Sequence, residues 1–217
     1  MTQHYQAFIF DMDGVLLDSE PFWRRSQIEL LREMGHTITI DDCIANTMGK
    51  RIDDIAKCWI NRFKLTLTVE ELAHSILNRT ITLISNEATA TEGLHHLVRY
   101  LKTTPLKIGL ATSSSQIVID AVVNTLGLND VFLVALSADE VVNGKPAPDV
   151  YLEVCRRMEV DPTLCFALED SLTGVKAAVA SGAITIAKPE FEGADFDMAR
   201  YQVSHLSEVI DIVDQLI

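Results

Sequence analysis

The chain has 217 residues, 48% of them hydrophobic, and a formal net charge of −13 at pH 7. This length suits one sizeable domain, or a core domain with a smaller insert, and the apolar content argues against a disordered chain. A balance this acidic argues against a nucleic-acid-binding surface, which normally carries a basic patch. No apolar stretch approaches the ~20 residues of a membrane span, so we expect no membrane partner.

The amino terminus and the cysteines indicate the cellular compartment in which the protein resides. Residues 1–5 are polar and lead directly into an apolar run, so no targeting peptide is visible. The four cysteines are far apart in the sequence and form no C-x-x-C pair, which is typical of reduced packing residues. We therefore expect a cytoplasmic protein, and by default a monomer.

Short apolar runs alternate with helical patterns over most of the chain. Five runs are of the kind that predicts strands buried on both faces in a parallel sheet: 7–10, 107–111, 131–136, 165–168 and 183–187. Three helical patterns lie between the later runs: 115–126, 148–158 and 172–181. Their lengths suit the crossovers of βαβ units. The alternation predicts an α/β fold with a doubly wound parallel sheet.

Residues 18–90 interrupt this alternation. They contain amphipathic helical patterns and no comparable strand, with the helices predicted at 22–34, 52–63 and 69–85. We therefore predict an α/β core of residues 1–17 and 91–217, with a helical insert of residues 18–90 placed after the first strand. An insert at this point could cover the carboxyl end of the sheet, where open α/β sheets bind ligands.

Two acidic residues follow the first predicted strand. Asp11 ends the apolar run and Asp13 comes two residues later, directly before Gly14. Side chains two apart on a strand point the same way, and a glycine permits a tight turn that could aim both carboxylates at one point. Acidic residues next to glycine are also common in ordinary turns. The buried strand directly before them favours a functional site.

Three further polar segments lie next to predicted strands and helices. Thr112 ends the second strand, where a hydroxyl and the N–H groups of a helix start could bind an anion, or could simply cap the helix. Lys145 lies in a loop with two prolines and could present a fixed charge to a phosphate, or face solvent. Glu169 and Asp170 end another strand, where adjacent acids are costly unless they are solvated or neutralised by a cation such as Mg²⁺.

Taken together and in this order, the four motifs resemble those of the haloacid dehalogenase-like hydrolases. The matching segments are DMDGVLLDSE (11–20), LATSS (110–114), GKPAPD (144–149) and LEDS (168–171). The likeness covers essentially the whole chain. It is to the subgroup with a helical cap inserted in a Rossmann-like core, which includes sugar-phosphate phosphatases and β-phosphoglucomutases. The continuation DSEPFW (18–23) is similar to that of bacterial 2-deoxyglucose-6-phosphate (hexitol) phosphatases.

The resemblance implies a Mg²⁺-dependent phosphatase that hydrolyses a small phosphorylated metabolite, a sugar or sugar-alcohol phosphate. In such an enzyme Asp11 would attack phosphorus and form an aspartyl-phosphate. Asp13 would protonate the leaving alcohol, would then activate water, and would offer its backbone carbonyl to Mg²⁺. The roles of a carboxylate nucleophile and of a second acid fit the chemistry, because the departing alkoxide is a poor leaving group.

The remaining motif residues acquire binding roles by the same resemblance. Thr112, the backbone of Ser113 and Lys145 would hold phosphate oxygens. Asp170 would ligate Mg²⁺ together with Asp11, and Glu169 would support the metal directly or through water.

A β-phosphoglucomutase-type isomerase is the alternative, because it uses the same core. Such mutases carry a histidine where this chain has Trp23, and a differently spaced arginine after a cap glycine, where this chain has Gly49-Lys50-Arg51. Both departures favour the phosphatase, although Trp23 could equally contact substrate or pack within the insert. A dehalogenase does not need the second acid, and a phospho-accepting receiver domain does not place its aspartate at the end of the first strand.

Overall fold

A computed structural model describes residues 4–48, 50–189 and 196–217. Residues up to Asp18 and from Thr89 onward form one compact unit, and Ser19–Ala88 form a second. Residues 1–3 of the polar amino terminus, and Gly49 of the insert, lie outside the described residues.

The first unit is built on a six-stranded sheet among the described residues. Its strands are β1 (Ala7–Phe10), β2 (Lys107–Thr112), β3 (Val134–Ser137), β4 (Cys165–Glu169), β5 (Ile184–Ala187) and β6 (Tyr201–Gln202). The spatial order is β3-β2-β1-β4-β5-β6, and every neighbouring pair is parallel. The chain therefore builds outward from β1 to β3 and returns to the other side of β1 for β4. This reversal of strand order is where open α/β sheets bind ligands.

Helices connect these strands and also make up the second unit. In chain order they are α1 (Glu20–Glu33), α2 (Ile40–Asn46), α3 (Ile52–Phe63), α4 (Val69–Glu87), α5 (Leu94–Leu101), α6 (Gln116–Thr125), α7 (Asp149–Met158), α8 (Leu172–Ser181) and α9 (Leu206–Asp214). Two short 3₁₀ helices are Ala138–Glu140 and Pro162–Leu164. No helix among the described residues is long and apolar enough to cross a membrane.

The apolar run of β1 is buried on both faces of the sheet. All four of its residues are buried, and alternate side chains of a strand point to opposite faces. Ala7 and Ile9 belong to a core cluster with residues of α7 and α8. The ring of Phe8 lies 4.7 Å from that of Phe10 and 6.1 Å from that of Phe166. The predicted parallel α/β sheet is confirmed, and its first strand is fixed by packing on either side.

The strand predicted at 131–136 is displaced in the structure. The β3 strand starts at Val134, because Val131 lies in a turn in which its N–H bonds the carbonyl of Leu128 at 3.0 Å. The apolar run continues through this turn, so hydrophobicity alone misplaced the start. The short elements β6 and α2 were not predicted, and neither was α9. The Thr39–Asp42 capping box that starts α2 is visible in the sequence and could have revealed it.

The second unit, Ser19–Ala88, consists of α1 to α4 and has its own core. Leu31, Trp59 and Leu72 are at most 1% exposed and belong to one apolar cluster. A buried polar group crosses this core: the Gln27 side-chain oxygen accepts from the Trp59 indole N–H at 2.8 Å and from the Thr47 hydroxyl at 3.0 Å. Because buried polar atoms are costly when unpaired, these bonds fix how the helices of the unit pack.

Candidate active site

The predicted motif residues converge because three neighbouring strands end in register. Phe10 pairs with Leu110 of β2 on one side and with Leu168 of β4 on the other. The next residue, Asp11, donates its backbone N–H to the Leu168 carbonyl at 2.9 Å. Thr112 ends β2, so acidic and hydroxyl side chains meet at the carboxyl edge of the sheet.

Lys145 joins this group from the loop that precedes α7. Its Nζ lies 2.5 Å from Asp11 Oδ1, 2.6 Å from Glu169 Oε1 and 3.0 Å from the Ala111 carbonyl. Burial lowers the pKa of Lys145, but the charges of Asp11 and Glu169 and the hydrogen bonds to them raise it further, so the net shift is upward. The lysine is therefore a buried, permanently charged ammonium with three acceptors.

Asp11, Glu169 and Asp170 form a cluster that could hold a metal ion. One carboxylate oxygen from each lies within 4.8 Å of the others. Burial first, and then the charge of Glu169, raise the pKa of Asp11 well above its usual range and that of Asp170 to about 7, while Lys145 opposes both shifts. Like charges about 5 Å apart repel by roughly 3 kcal/mol at an effective dielectric near 20.

The donor set of this cluster is made only of carboxylates. Hard oxygen ligands of this kind suit Mg²⁺, whereas thiolate or imidazole ligands would suit softer metals. Three acids against one ammonium leave negative charge that a divalent cation would neutralise. The residues present therefore fit the metal that the sequence predicts.

Glu169 is completely buried, and other side chains hold it in place. The Tyr151 hydroxyl donates to Glu169 Oε1 at 2.6 Å, the same oxygen that receives Lys145. The Ser171 hydroxyl donates to Oε2 at 3.3 Å. Room for this carboxylate depends on Gly174 of α8, where a Cβ would lie 1.9 Å from Glu169 Oε2. Glu169 thus anchors Lys145 besides adding charge to the acidic cluster.

Sequence reasoning missed Tyr151, which is buried on α7. Burial, and then the charge of Glu169, raise the pKa of Tyr151 well above its usual range. The Lys145 Nζ also lies 5.2 Å from the centre of its ring. One signal was present: a buried tyrosine needs a hydrogen-bond partner, and this one falls on the helix directly after the predicted lysine loop.

Asp13 lies in the turn after β1, next to two hydroxyls. The Ser114 Oγ donates to Asp13 Oδ2 at 2.8 Å, and Thr112 Oγ1 lies 3.4 Å from the same oxygen. Thr112 Oγ1 also accepts the backbone N–H of Ser114 at 3.1 Å. Ser113 is exposed between them. The predicted Thr112 therefore lies beside an acidic side chain, and Ser114, which sequence reasoning passed over, makes the shorter contact.

Gly14 makes the approach of the two acidic motifs possible. Its φ is +76°, a backbone conformation that favours glycine. A Cβ at this position would lie 1.8 Å from Asp170 Oδ2 and 2.5 Å from Asp170 Cγ. The turn after β1 and the end of β4 can come this close only because residue 14 has no side chain.

The chain is similar to known hydrolases over most of its length. A family model described as haloacid dehalogenase-like hydrolase matches residues 8–188. Hexitol phosphatase B of Escherichia coli (strain K12) is 32% identical over 94% of this chain and 93% of its own. Fructose-1-phosphate phosphatase YqaB of the same strain is 31% identical over 84% of this chain and 95% of its own.

Among solved structures, CbbY from Rhodobacter sphaeroides in complex with phosphate has the same fold. Its TM-score is 0.83 at 24% identity, covering 94% of this chain and 96% of that one. The parallel sheet of this chain, with an acidic cluster at the carboxyl ends of its strands, is a Rossmann-like α/β core. The chain belongs to the haloacid dehalogenase-like hydrolase family.

Proposed function

We propose that this protein is a Mg²⁺-dependent phosphatase that hydrolyses the phosphate monoester of a small sugar or sugar alcohol through an aspartyl-phosphate on Asp11. The observation that carries the proposal is the Asp11 carboxylate itself, buried at the end of β1 and paired with Lys145. The names of two relatives, a hexitol phosphatase and a fructose-1-phosphate phosphatase, support the substrate class.

The reaction divides into two displacements at phosphorus. In the first, an Asp11 carboxylate oxygen forms a bond to phosphorus while the bond from phosphorus to the sugar oxygen breaks, and Asp13 gives its proton to that oxygen. In the second, water attacks the same phosphorus, Asp13 takes a proton from the water, and the Asp11 carboxylate leaves. An ionised carboxylate needs no deprotonating partner, and Lys145 and a bound cation would favour that form of Asp11, so one acid–base residue serves both steps.

The other site residues supply countercharge and position. Asp11, Glu169, Asp170 and the Asp13 backbone carbonyl would hold Mg²⁺, which when bound supplies positive charge to the phosphoryl oxygens and the carboxylates. Lys145 adds a fixed positive charge next to Asp11, where the anionic substrate and nucleophile would otherwise repel each other.

The hydroxyl of Thr112 and the backbone N–H of Ser113 would bind phosphate oxygens at the start of α6. We assign the chemistry to the unit that contains the sheet, and the choice of substrate to the helical insert, Ser19–Ala88, as its cap. This division is supported by the motif residues, since all seven predicted site residues belong to the sheet-containing unit.

We also propose a cytoplasmic monomer. All four cysteines are free thiols, which suits a reducing compartment. A net charge of −13 favours separate molecules in solution.

A phosphate-release assay on hexitol, hexose and fructose phosphates, followed by phosphorus NMR, tests the function. We expect free phosphate to form in step with substrate loss in the presence of Mg²⁺, and to stop after chelation. Asp11→Asn should lower kcat by on the order of 10⁴-fold or more, since it removes the nucleophile. The same spectra address the mutase alternative, because addition of glucose 1,6-bisphosphate should not accelerate interconversion of glucose monophosphates. Interconversion with little free phosphate, or full activity after chelation, would contradict the proposal.

A further inference from the structure

A hydrogen bond between Ser114 and Asp13 lies beside the proposed catalytic residues and has no role in the reaction described above. Ser114 is half-buried in the loop between β2 and α6, and its hydroxyl donates to Asp13 Oδ2 at 2.8 Å. The loop geometry supports this contact, because the Ser114 backbone N–H is itself bonded to Thr112 Oγ1 at 3.1 Å. The serine is thus tied to the end of β2 through its backbone and to the turn after β1 through its side chain.

We propose that Ser114 is a positioning residue for the acid–base function of Asp13; this inference rests on the proposed phosphatase reaction. The terminal torsion of an aspartate side chain is broad and poorly fixed by its own rotamer preference. A hydrogen bond to one carboxyl oxygen restricts that rotation. Asp13 must meet first the leaving oxygen and then a water, so a fixed carboxyl plane contributes to both steps.

The number of protons that the Ser114 hydroxyl can donate distinguishes a positioning role from direct phosphate binding. A serine hydroxyl has a single proton to donate, and in the structure that proton is directed to Asp13. The hydroxyl cannot donate to a phosphate oxygen at the same time. Thr112 Oγ1, at 3.4 Å, makes a weaker contact with the same oxygen.

The test compares Ser114→Ala with Ser114→Thr and with Ser115→Ala. Ser115 is the matched control, because it is the next serine of the same loop and its side chain makes no capping hydrogen bond to α6. The readout is kcat/KM for the best sugar phosphate and for p-nitrophenyl phosphate, because kcat/KM reports the first displacement. The aryl leaving group needs little protonation, so only the sugar phosphate depends strongly on a well-placed acid.

We expect Ser114→Ala to lower kcat/KM for the sugar phosphate by about 10- to 100-fold, part of the 10²–10⁴-fold that general acid catalysis contributes. The loss on p-nitrophenyl phosphate should stay within about 3-fold, and the inhibition constant of inorganic phosphate within about 2-fold. Ser114→Thr, which keeps the hydroxyl, should restore most of the activity, and Ser115→Ala should match the wild type.

Three results would overturn the inference. They are wild-type kinetics in Ser114→Ala, equal losses on both substrates, or a weakened inhibition by phosphate that accounts for the whole loss. The last would make Ser114 a phosphate ligand. If Ser114→Ala proves unstable, Ser114→Thr is measured alone. A ratio of kcat/KM for the sugar phosphate to kcat/KM for p-nitrophenyl phosphate well below that of the wild type would then contradict the inference. The parent proposal fails separately, through a wild-type protein that releases no phosphate or an Asp13→Asn variant that is fully active.

Discussion

At the scale of single residues, Gly14 determines whether the two acidic motifs can share one site. Two independent features require glycine at this position: its φ is +76°, and a Cβ would lie 1.8 Å from Asp170 Oδ2. The first would strain any other residue, and the second would push the Asp170 carboxylate away from Asp11. The glycine therefore matters for the acidic cluster beyond its effect on the turn.

Gly14→Ala should abolish most activity, and Gly127→Ala is its control. Gly127 belongs to the same unit and also has a positive φ, +66°, but nothing lies within 4 Å of the position of its Cβ. We expect both variants to lose roughly 1–3 kcal/mol of stability from backbone strain. Only Gly14→Ala should also lose activity, by about 100-fold or more, because the clash displaces Asp170. Thermal unfolding and phosphate release measure the two effects. Equal specific activities in the two folded variants would show that the close approach is unimportant.

The sequence placed seven candidate residues at the end of the sheet, but it missed Tyr151 and Ser114 and did not predict the contacts among them. The motifs predicted Asp11, Lys145 and Asp170 because each falls at the edge of a strand or helix. The hydrogen bonds from Lys145 to both Asp11 and Glu169 could not be predicted from the sequence, since Lys145 and Asp11 are 134 positions apart in the chain. The same holds for the bond between Ser114 and Asp13, which joins residues 101 apart. Such contacts depend on strand order and register, which local patterns do not fix.

At the scale of helices and strands, prediction succeeded where packing and periodicity agree. The helix predicted at 52–63 is α3, and the one predicted at 172–181 is α8, with the same bounds. Each carries buried residues on one face of the helix. The start of β3 was wrong because apolar residues fill the preceding turn as well. The two-residue β6 is too short to leave a periodic signal.

The capping box of α4 gives a test at this scale. The Thr68 hydroxyl accepts the Glu71 N–H at 3.2 Å, and the Glu71 carboxylate accepts the Thr68 N–H at 2.8 Å. Thr68→Ala should lower the stability of Ser19–Ala88 by about 1 kcal/mol. Thr66→Ala, at an exposed position in the loop before α4, should change it by less than about 0.5 kcal/mol.

Urea unfolding followed by tryptophan fluorescence can measure this difference. Both tryptophans of the chain, Trp23 and Trp59, lie in Ser19–Ala88, so their signal reports on that unit. Coincident unfolding curves for the two threonine variants would show that the capping box does not stabilise α4.

At the scale of the whole molecule, the negative net charge opposes the binding of an anionic substrate, and positive groups within the site offset this repulsion. A chain with a net charge of −13 repels a phosphorylated substrate at long range. In the proposed phosphatase, affinity would then come from short-range groups, namely Lys145, the backbone at the start of α6, and the cation that the acidic cluster would bind. The sheet brings these together because its central strands end side by side.

The proposed reaction depends on Asp11 becoming phosphorylated during turnover. The Asp13→Asn variant isolates that step. It lacks the base that would activate water, so the second displacement is slow, whereas the first still proceeds with an aryl ester, whose leaving group needs little protonation. With p-nitrophenyl phosphate and Mg²⁺, this variant should release a burst of about one p-nitrophenol per active site and then turn over slowly.

Acid quenching at the end of the burst, borohydride reduction and peptide mass spectrometry locate the phosphorylated residue. If Asp11 is the nucleophile, homoserine will be found at position 11, and the double variant Asp11→Asn, Asp13→Asn will show no burst. A burst that persists in the double variant, or a label on any other residue, would contradict the proposed reaction.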